Sequence, residues 1–350
     1  MRLSEFDYEL PAELIAQEPL AERDASRMLV LDRQQHTWSD RSFKDFPRYL
    51  RENDVVVVNN SRVIPARLRG KREETGGQVE IFLVREVEKK IWEALVRPGG
   101  RLKKDSRVVF GEGRLTAEML DEPGTELRRV RFNCEASFEE VLGELGSTPL
   151  PPYIKNFSDR DRERYQTIYA KQRGAIAAPT AGLHFTPAVL EEIRSRATLA
   201  EITLHVGYGT FEPVRVGDVD QHSVSAERFE ISEIAAGKIN EARSKGGRVI
   251  VVGTTTMRAL ESSATEAGVV KSTSGEAKLT IKPGYRFRVA DALLTNFHLP
   301  QSSLLILVSA FAGREFVLDA YRHAVRERYR FRSEERRVGK ECRSRWSPYH

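Results

Sequence analysis

The chain has 350 residues, 40% apolar and 31% charged, with a formal net charge of +5, which fits a soluble globular protein of one large domain or two unequal ones. No apolar run approaches the roughly 20 residues that span a bilayer, the N-terminus lacks the apolar core of a signal peptide, and two cysteines, Cys134 and Cys342, exclude a disulfide framework and a cysteine zinc site. A cytoplasmic protein is expected, and its mild positive charge is compatible with an anionic partner without requiring one.

In chain order, residues 11–16 predict a short helix after a proline start, 28–31 a strand, 43–50 a short helix, and 55–58 a buried strand that ends in Asn59-Asn60-Ser61-Arg62. From 65 to 147 short alternating runs (79–84, 91–96, 107–110 and 127–132) alternate with glycine turns, the pattern of a small antiparallel barrel. The stiff Leu150-Pro-Pro-Tyr153 marks the return to the first domain. Beyond it Ile176 is strand-like, Thr186 caps a helix with Pro187 at its first position, 202–206 is a strand, 238–243 a helix, 249–252 a strand and 257–264 a helix. The apolar run 304–311 is a buried helix or strand.

This strand–polar turn–helix rhythm predicts a largely parallel sheet with its site at the carboxyl ends of the strands. The expected fold class is α/β: a large mixed α/β domain from residues 1–64 and 148–332, interrupted by an inserted small antiparallel β-barrel domain at 65–147. The last eighteen residues, 333–350, have no period and carry five Arg and Lys against three Glu, and the run Arg332 to Cys342 resembles a translated sequencing adapter. They are expected to be a disordered tail foreign to the fold.

Four polar clusters follow strand-like runs: Pro179-Thr-Ala-Gly182 leading to His184, His205-Val-Gly-Tyr-Gly-Thr210, Gly253-Thr-Thr-Thr256, and Thr295-Asn-Phe-His298. Glycine, threonine and histidine in such places suit a pocket rim. Gly253 to Thr256, with Arg258 in the first helical turn, could hold a carboxylate or phosphate on backbone N–H groups, or could be plain threonine capping. The histidines lack compact metal spacing, and no metal is expected. No dinucleotide fingerprint, P-loop, zincin helix or nucleophile elbow is present. Between Tyr153 and Arg173, basic residues interleave with aromatics, a composition that can hold phosphates and stack on bases, or form a solvated amphipathic helix.

Longer strings carry a resemblance. Arg62-Val-Ile-Pro-Ala-Arg67, Pro149-Leu-Pro-Pro-Tyr-Ile154, Arg164-Tyr-Gln-Thr167, Ala178-Pro-Thr-Ala-Gly-Leu-His-Phe-Thr186, Ile202-Thr-Leu-His-Val-Gly207, Val252-Gly-Thr-Thr-Thr256 and Leu294-Thr-Asn-Phe-His-Leu-Pro300 resemble the S-adenosylmethionine:tRNA ribosyltransferase-isomerase family of queuosine biosynthesis. The likeness runs from Tyr8 to about Tyr329. The chain departs from the family where members carry His-x-Met-His-x-Glu: here His222-Ser-Val-Ser-Ala-Glu227 places Ser225 at the second histidine. It departs again after Arg332.

The resemblance implies transfer and isomerisation of the ribosyl part of S-adenosylmethionine onto 7-aminomethyl-7-deazaguanine at the wobble position of a tRNA with a GUN anticodon. It implies release of adenine and methionine, with S-adenosylmethionine as co-substrate; a monomer is expected separately, because no exposed coiled-coil or edge pattern in the sequence demands a partner. On this reading His184, His205, His222, Glu227 and His298 are the candidate catalytic residues. Thr180, Gly182, Gly207, Thr210, Thr254, Thr255, Thr256, Arg258 and Asn296 are candidates for holding the co-substrate. Asn59, Arg62, Arg67, Tyr153, Lys155, Arg160, Arg164, Tyr165, Lys171 and Arg173 are candidates for holding the tRNA. Two other classes stay open: a methyltransferase using the same co-substrate, against which the missing glycine-rich loop counts, and an RNA-binding module without chemistry.

Overall fold

A computed structural model describes residues 1–149, 161–207, 209 and 213–331; Tyr153, Lys155, Arg160, Thr210 and the segment 333–350 lie outside the described residues. The architecture is mixed α/β, with a closed six-stranded antiparallel barrel inserted in the chain of a six-stranded mixed sheet. The chain divides into two compact units, one comprising Val63–Leu150 with Arg173–Ala177 and the other the remainder.

The N-terminal run makes only a short 3-10 turn, Ala12–Leu14. β1 (Arg27–Asp32) and β2 (Thr37–Ser42) pair as an antiparallel hairpin. A 3-10 helix, Phe43–Tyr49, follows, capped by the Ser42 hydroxyl. β3 (Val55–Asn59) is buried at every position, as its unbroken apolar run requires, and β4 (Ser61–Val63) follows.

The barrel comprises β5 (Arg67–Arg72), β6 (Gln78–Glu88), β7 (Ile91–Arg97), β8 (Arg107–Phe110), β9 (Leu115–Met119) and β10 (Arg128–Asn133). Strand alternation sends Leu68, Ile81, Leu83, Val108, Phe110, Leu115, Met119 and Phe132 inward, all buried. Four of these strands match the expected runs. β5 and β9 were not expected, nor was α1 (Phe138–Leu145), an amphipathic helix after β10.

α2 (Asp161–Arg164) is a single turn. β11 (Gln172–Ala175) stops one residue short of Ile176, which is buried but not in a strand. α3 (Pro187–Arg196) starts as expected: the Thr186 hydroxyl accepts from the Val189 N–H, and Val189, Leu190 and Ile193 are buried. Then come β12 (Thr198–Leu204), β13 (Glu227–Ile231), α4 (Glu233–Ser244), β14 (Val249–Val252), α5 (Thr254–Ser263), β15 (Thr273–Ala277), β16 (Ala292–Leu294), α6 (Ser303–Ala312) and α7 (Arg314–Arg326).

The large sheet has the order β15-β13-β12-β3-β14-β16. Its four strands from β12 to β16 run parallel, while β13 and β15 extend it antiparallel. Val56, Val58, Ile250 and Val252 pack on Phe43, Phe185, Leu190 and Ile193. By alternation Val55, Val57, Val249 and Val251 face the other way, and α4 and α5 contact the same strands. Burying each of these side chains is worth about 1.5–3 kcal/mol, so the site edge rests on a rigid floor.

Candidate active site

Parallel strands end at one edge of their sheet, and whatever follows each strand collects there. β3 ends at Asn59, β12 hands over to His205, β14 to Gly253 and β16 to Thr295. The Gly253 N–H donates to the Leu294 carbonyl at 2.8 Å, joining the exits of β14 and β16. Gly253 has φ +90°, a left-handed conformation suited to glycine, which turns the chain sharply into α5. A Cβ placed there would meet the Ala181 methyl at 3.8 Å, so the Pro179–Gly182 turn lies directly against the start of α5. Gly182 is needed for a different reason: a Cβ there would come within 2.1 Å of the Tyr169 hydroxyl.

The turn delivers His184 beside β16. Its Nδ1 hydrogen-bonds Ser26 Oγ at 3.0 Å, and the Asn296 side chain also reaches it. Burial holds this imidazole below its ordinary value. His205 continues the β12–β13 ladder, its N–H donating to the Arg228 carbonyl at 2.9 Å. Its Nδ1 is buried with no hydrogen-bond partner. Burial first, and then the Arg228 charge, lower its pKa. His222 shares a 2.7 Å hydrogen bond between Nε2 and Ser303 Oγ and is lowered by burial and by Lys282. It lines a cleft of about 250 Å³ with Gly209, Arg215, Ser225 and Ser303.

Glu227 is buried and bridges two loops. Its Oε1 accepts the Gly207 N–H at 2.9 Å and its Oε2 accepts from the Arg258 guanidinium. Arg258 also donates to the carbonyls of Ala277 (2.7 Å), Ser225 (3.1 Å) and Leu279 (3.1 Å). Arg258 was expected to help hold a ligand carboxylate; here its guanidinium pairs with Glu227 inside the protein. The α5 start keeps the rest of that expectation open. Thr254, Thr255 and Thr256 are buried, Thr256 Oγ1 donates back to the Val252 carbonyl at 2.6 Å, and no side chain caps the helix. Thr180 is buried in the adjoining turn.

The other expected site residues lie in varied surroundings. His298 is 1% exposed, with Nε2 3.1 Å from Thr295 Oγ1. Its carbonyl accepts from the Tyr8 hydroxyl at 2.5 Å and its N–H donates to the Tyr321 hydroxyl at 3.2 Å. Tyr8 and Tyr321 close over its backbone. Asn59 is also 1% exposed: its amide pairs with both the carbonyl and the N–H of Leu204 and accepts the Ser61 N–H. It staples β3 to β12 and presents nothing to RNA. Tyr165 is buried, and Arg164 holds the carbonyls of Leu20 and Ala21. Arg62 is partly exposed beside Glu163, Lys171 is exposed on Glu201, and in the other unit Arg173 is exposed while Arg67 stands near Glu80.

Sequence reasoning missed Glu261. Its buried carboxylate accepts from the N–H groups of Arg288, Val289 and Ala290 and from the Tyr285 hydroxyl, pinning the segment that leads into β16. Its only signal is its place one turn after Arg258 on α5. Among the described residues no group of three His, Cys, Asp or Glu could hold a metal ion. Among them, too, no helix is long and apolar enough to cross a membrane.

The fold defines a mixed α/β protein with an inserted six-stranded barrel, and the candidate histidines His205 and His298 follow its parallel strands. Residues 3–333 match the family model described as queuosine biosynthesis protein. The chain is 53% identical over 332 residues to the S-adenosylmethionine:tRNA ribosyltransferase-isomerase of Pelotomaculum thermopropionicum and 50% identical to that of Desulforamulus reducens, in each case over 95% of this chain and 97% of the relative. It also resembles the crystal structure of the S-adenosylmethionine tRNA ribosyltransferase of Thermotoga maritima, with 37% identity, a TM-score of 0.52, and coverage of 94% of this chain and 97% of that one. The chain belongs to the queuosine biosynthesis family, that of the S-adenosylmethionine:tRNA ribosyltransferase-isomerases.

Proposed function

We propose that this protein transfers and isomerises the ribosyl moiety of S-adenosylmethionine onto the aminomethyl group of 7-aminomethyl-7-deazaguanine at the tRNA wobble position, forming epoxyqueuosine and releasing adenine and methionine. The observation that carries the reading is the meeting of the His184, Gly253 and Asn296 turns at one sheet edge, tied to the His205 loop through Glu227 and Arg258, in a chain that matches the family over residues 3–333. Catalysis belongs to the α/β domain, residues 1–64 and 148–332. The tRNA carries a GUN anticodon, and the protein acts as a cytoplasmic monomer.

The chemistry suits these residues. The sulfonium of the co-substrate acidifies its 5′ carbon, so a neutral base can remove a proton there. His205 supplies a partly exposed imidazole kept neutral by burial, and His184, beside Asn296 just past β16, is a second. Loss of that proton opens the ribose and expels adenine; the RNA amine then attacks, and the released oxyanion closes the epoxide as methionine leaves. The uncapped first turn of α5 can hold the methionine carboxylate on its N–H groups. His222 and Ser225 line the neighbouring cleft. Arg62 and Lys171 offer surface cations for phosphates.

The test is to incubate the protein with precursor tRNA and S-adenosylmethionine, then follow free bases by chromatography and the RNA by mass spectrometry. Adenine, methionine and an epoxyqueuosine mass are expected. Methylated RNA with S-adenosylhomocysteine would make the protein a methyltransferase, and tRNA binding indifferent to the co-substrate would leave a binding module.

A further inference from the structure

We infer that the buried Glu227–Arg258 pair is a positioning device that fixes the His205 loop against α5, and that Glu227 takes no part in proton transfer. This rests on the reaction proposed above. Glu227 is 3% exposed and Arg258 7%. A carboxylate so enclosed, with one oxygen on a guanidinium and the other on a backbone N–H, has no open path along which to exchange a proton with substrate.

Their partners make the pair a junction. Glu227 begins β13 and Ala277 ends β15. Arg258 sits in α5 just after the three threonines. Through one guanidinium the helix is tied to Glu227, to the end of β15 and to the Ser225 carbonyl. Through Glu227 Oε1 the same network holds Gly207, two residues beyond His205. A second attachment of this loop is the His205 N–H on the Arg228 carbonyl, next to Glu227 in sequence. The His205 ring itself has no hydrogen bond at Nδ1. Its direction is therefore set by the backbone on either side, and Glu227 secures the far side.

Three variants test this by steady-state adenine release, pH profile and hydrogen–deuterium exchange. Glu227→Gln keeps an acceptor for Gly207 and loses the ion pair; its kcat should fall about tenfold, the size of one modest positioning defect. KM for S-adenosylmethionine should move less, and the acid limb of kcat/KM should keep its midpoint. Glu227→Ala should fall further and speed amide exchange across residues 203–207. In the double variant Glu227→Gln/Arg258→Gln neither charge is left unmatched, so it should turn over faster than Arg258→Gln alone. Abolished turnover in a folded Glu227→Gln, with loss of the acid limb, would make Glu227 the base and overturn the inference. So would wild-type kcat and exchange in Glu227→Ala. Exchange is read without turnover, so a wild-type protein that released no adenine would condemn the proposed reaction and leave the positioning claim standing on that measurement.

Discussion

At His205 the protonation state follows from where the ring lies. Removing an imidazole from water penalises its charged form, and Arg228 adds to that penalty, so the ring is neutral at pH 7 and able to accept a proton. A positioned general base contributes roughly 10²–10⁴-fold. His205→Asn should therefore lower kcat for adenine release by about that factor, with the dissociation constants for S-adenosylmethionine and tRNA unchanged by calorimetry and filter binding. Because the folded pKa lies below the ordinary 6.5, kcat/KM should be flat at neutral pH and fall only on the acid side, with its midpoint under 6.5. A midpoint at or above that value would remove His205 from the role. Residue type alone made His205 and His298 equal candidates, since both follow strands and both can titrate. What separates them is distant in sequence: Tyr8 and Tyr321 close over His298, and a strand-exit motif carries no information about such contacts. The internal partners of Arg258 were illegible for the same reason, because Glu227 and Ala277 belong to other strands.

At the scale of elements, legibility followed the apolar period. The unbroken runs of β3 and β14 could be read directly because strands of a parallel sheet are buried on both faces. β5 could not: in Arg67–Arg72 only Leu68 and Gly70 are buried, and the outward side chains are all cationic. In β9 the alternation is present but Ala117 and Glu118, at its centre, are weak strand formers. α5 was expected to start at residue 257 and starts at Thr254, because a glycine N-cap with positive φ lets three β-branched residues enter the first turn. The end of this helix matters as much as its start. Glu261 gathers three backbone N–H groups and the Tyr285 hydroxyl, and burial beside this carboxylate pushes the Tyr285 phenol up to about 12. Glu261→Ala would strand the buried Val289 and Ala290 N–H groups, each of which costs about 1–3 kcal/mol when left unpaired, and would loosen the partly buried bonds from the Tyr285 hydroxyl and the Arg288 N–H. Partial rescue by water lowers the sum, so a net loss of about 3 kcal/mol is expected in urea denaturation. A loss under about 0.5 kcal/mol, typical of a surface substitution, would mean that the 285–290 segment does not depend on α5.

Across the whole molecule the ionisable groups are unevenly shared. All seven histidines lie outside Val63–Leu150 and Arg173–Ala177, so the barrel unit has none. In the α/β unit, burial depresses His184, His205 and His222. A group with a depressed folded pKa contributes stability that is full above its unfolded value, here 6.5, and is lost as pH falls through the folded value, because only the unfolded chain takes up the proton in that window. Carboxylates act lower down. In the α/β unit, burial pushes Asp54 up, but Arg248 and two backbone N–H groups outweigh it and hold it below 3.8; in the barrel, Arg129 does the same for Asp121. Lowering the pH from 8 to 5 should therefore weaken the α/β unit and leave the barrel almost untouched, and only below about pH 4 should both decline. Urea titrations at pH 8, 6 and 5, with exchange measured separately for segments of each unit, should show the α/β midpoint moving down while the barrel midpoint stays. A triple variant with His184, His205 and His222 each replaced by Gln should lose that shift. If the barrel midpoint fell in step with the α/β midpoint in this range, the two units would be unfolding as one cooperative body, and the imidazoles would set the acid stability of the entire chain.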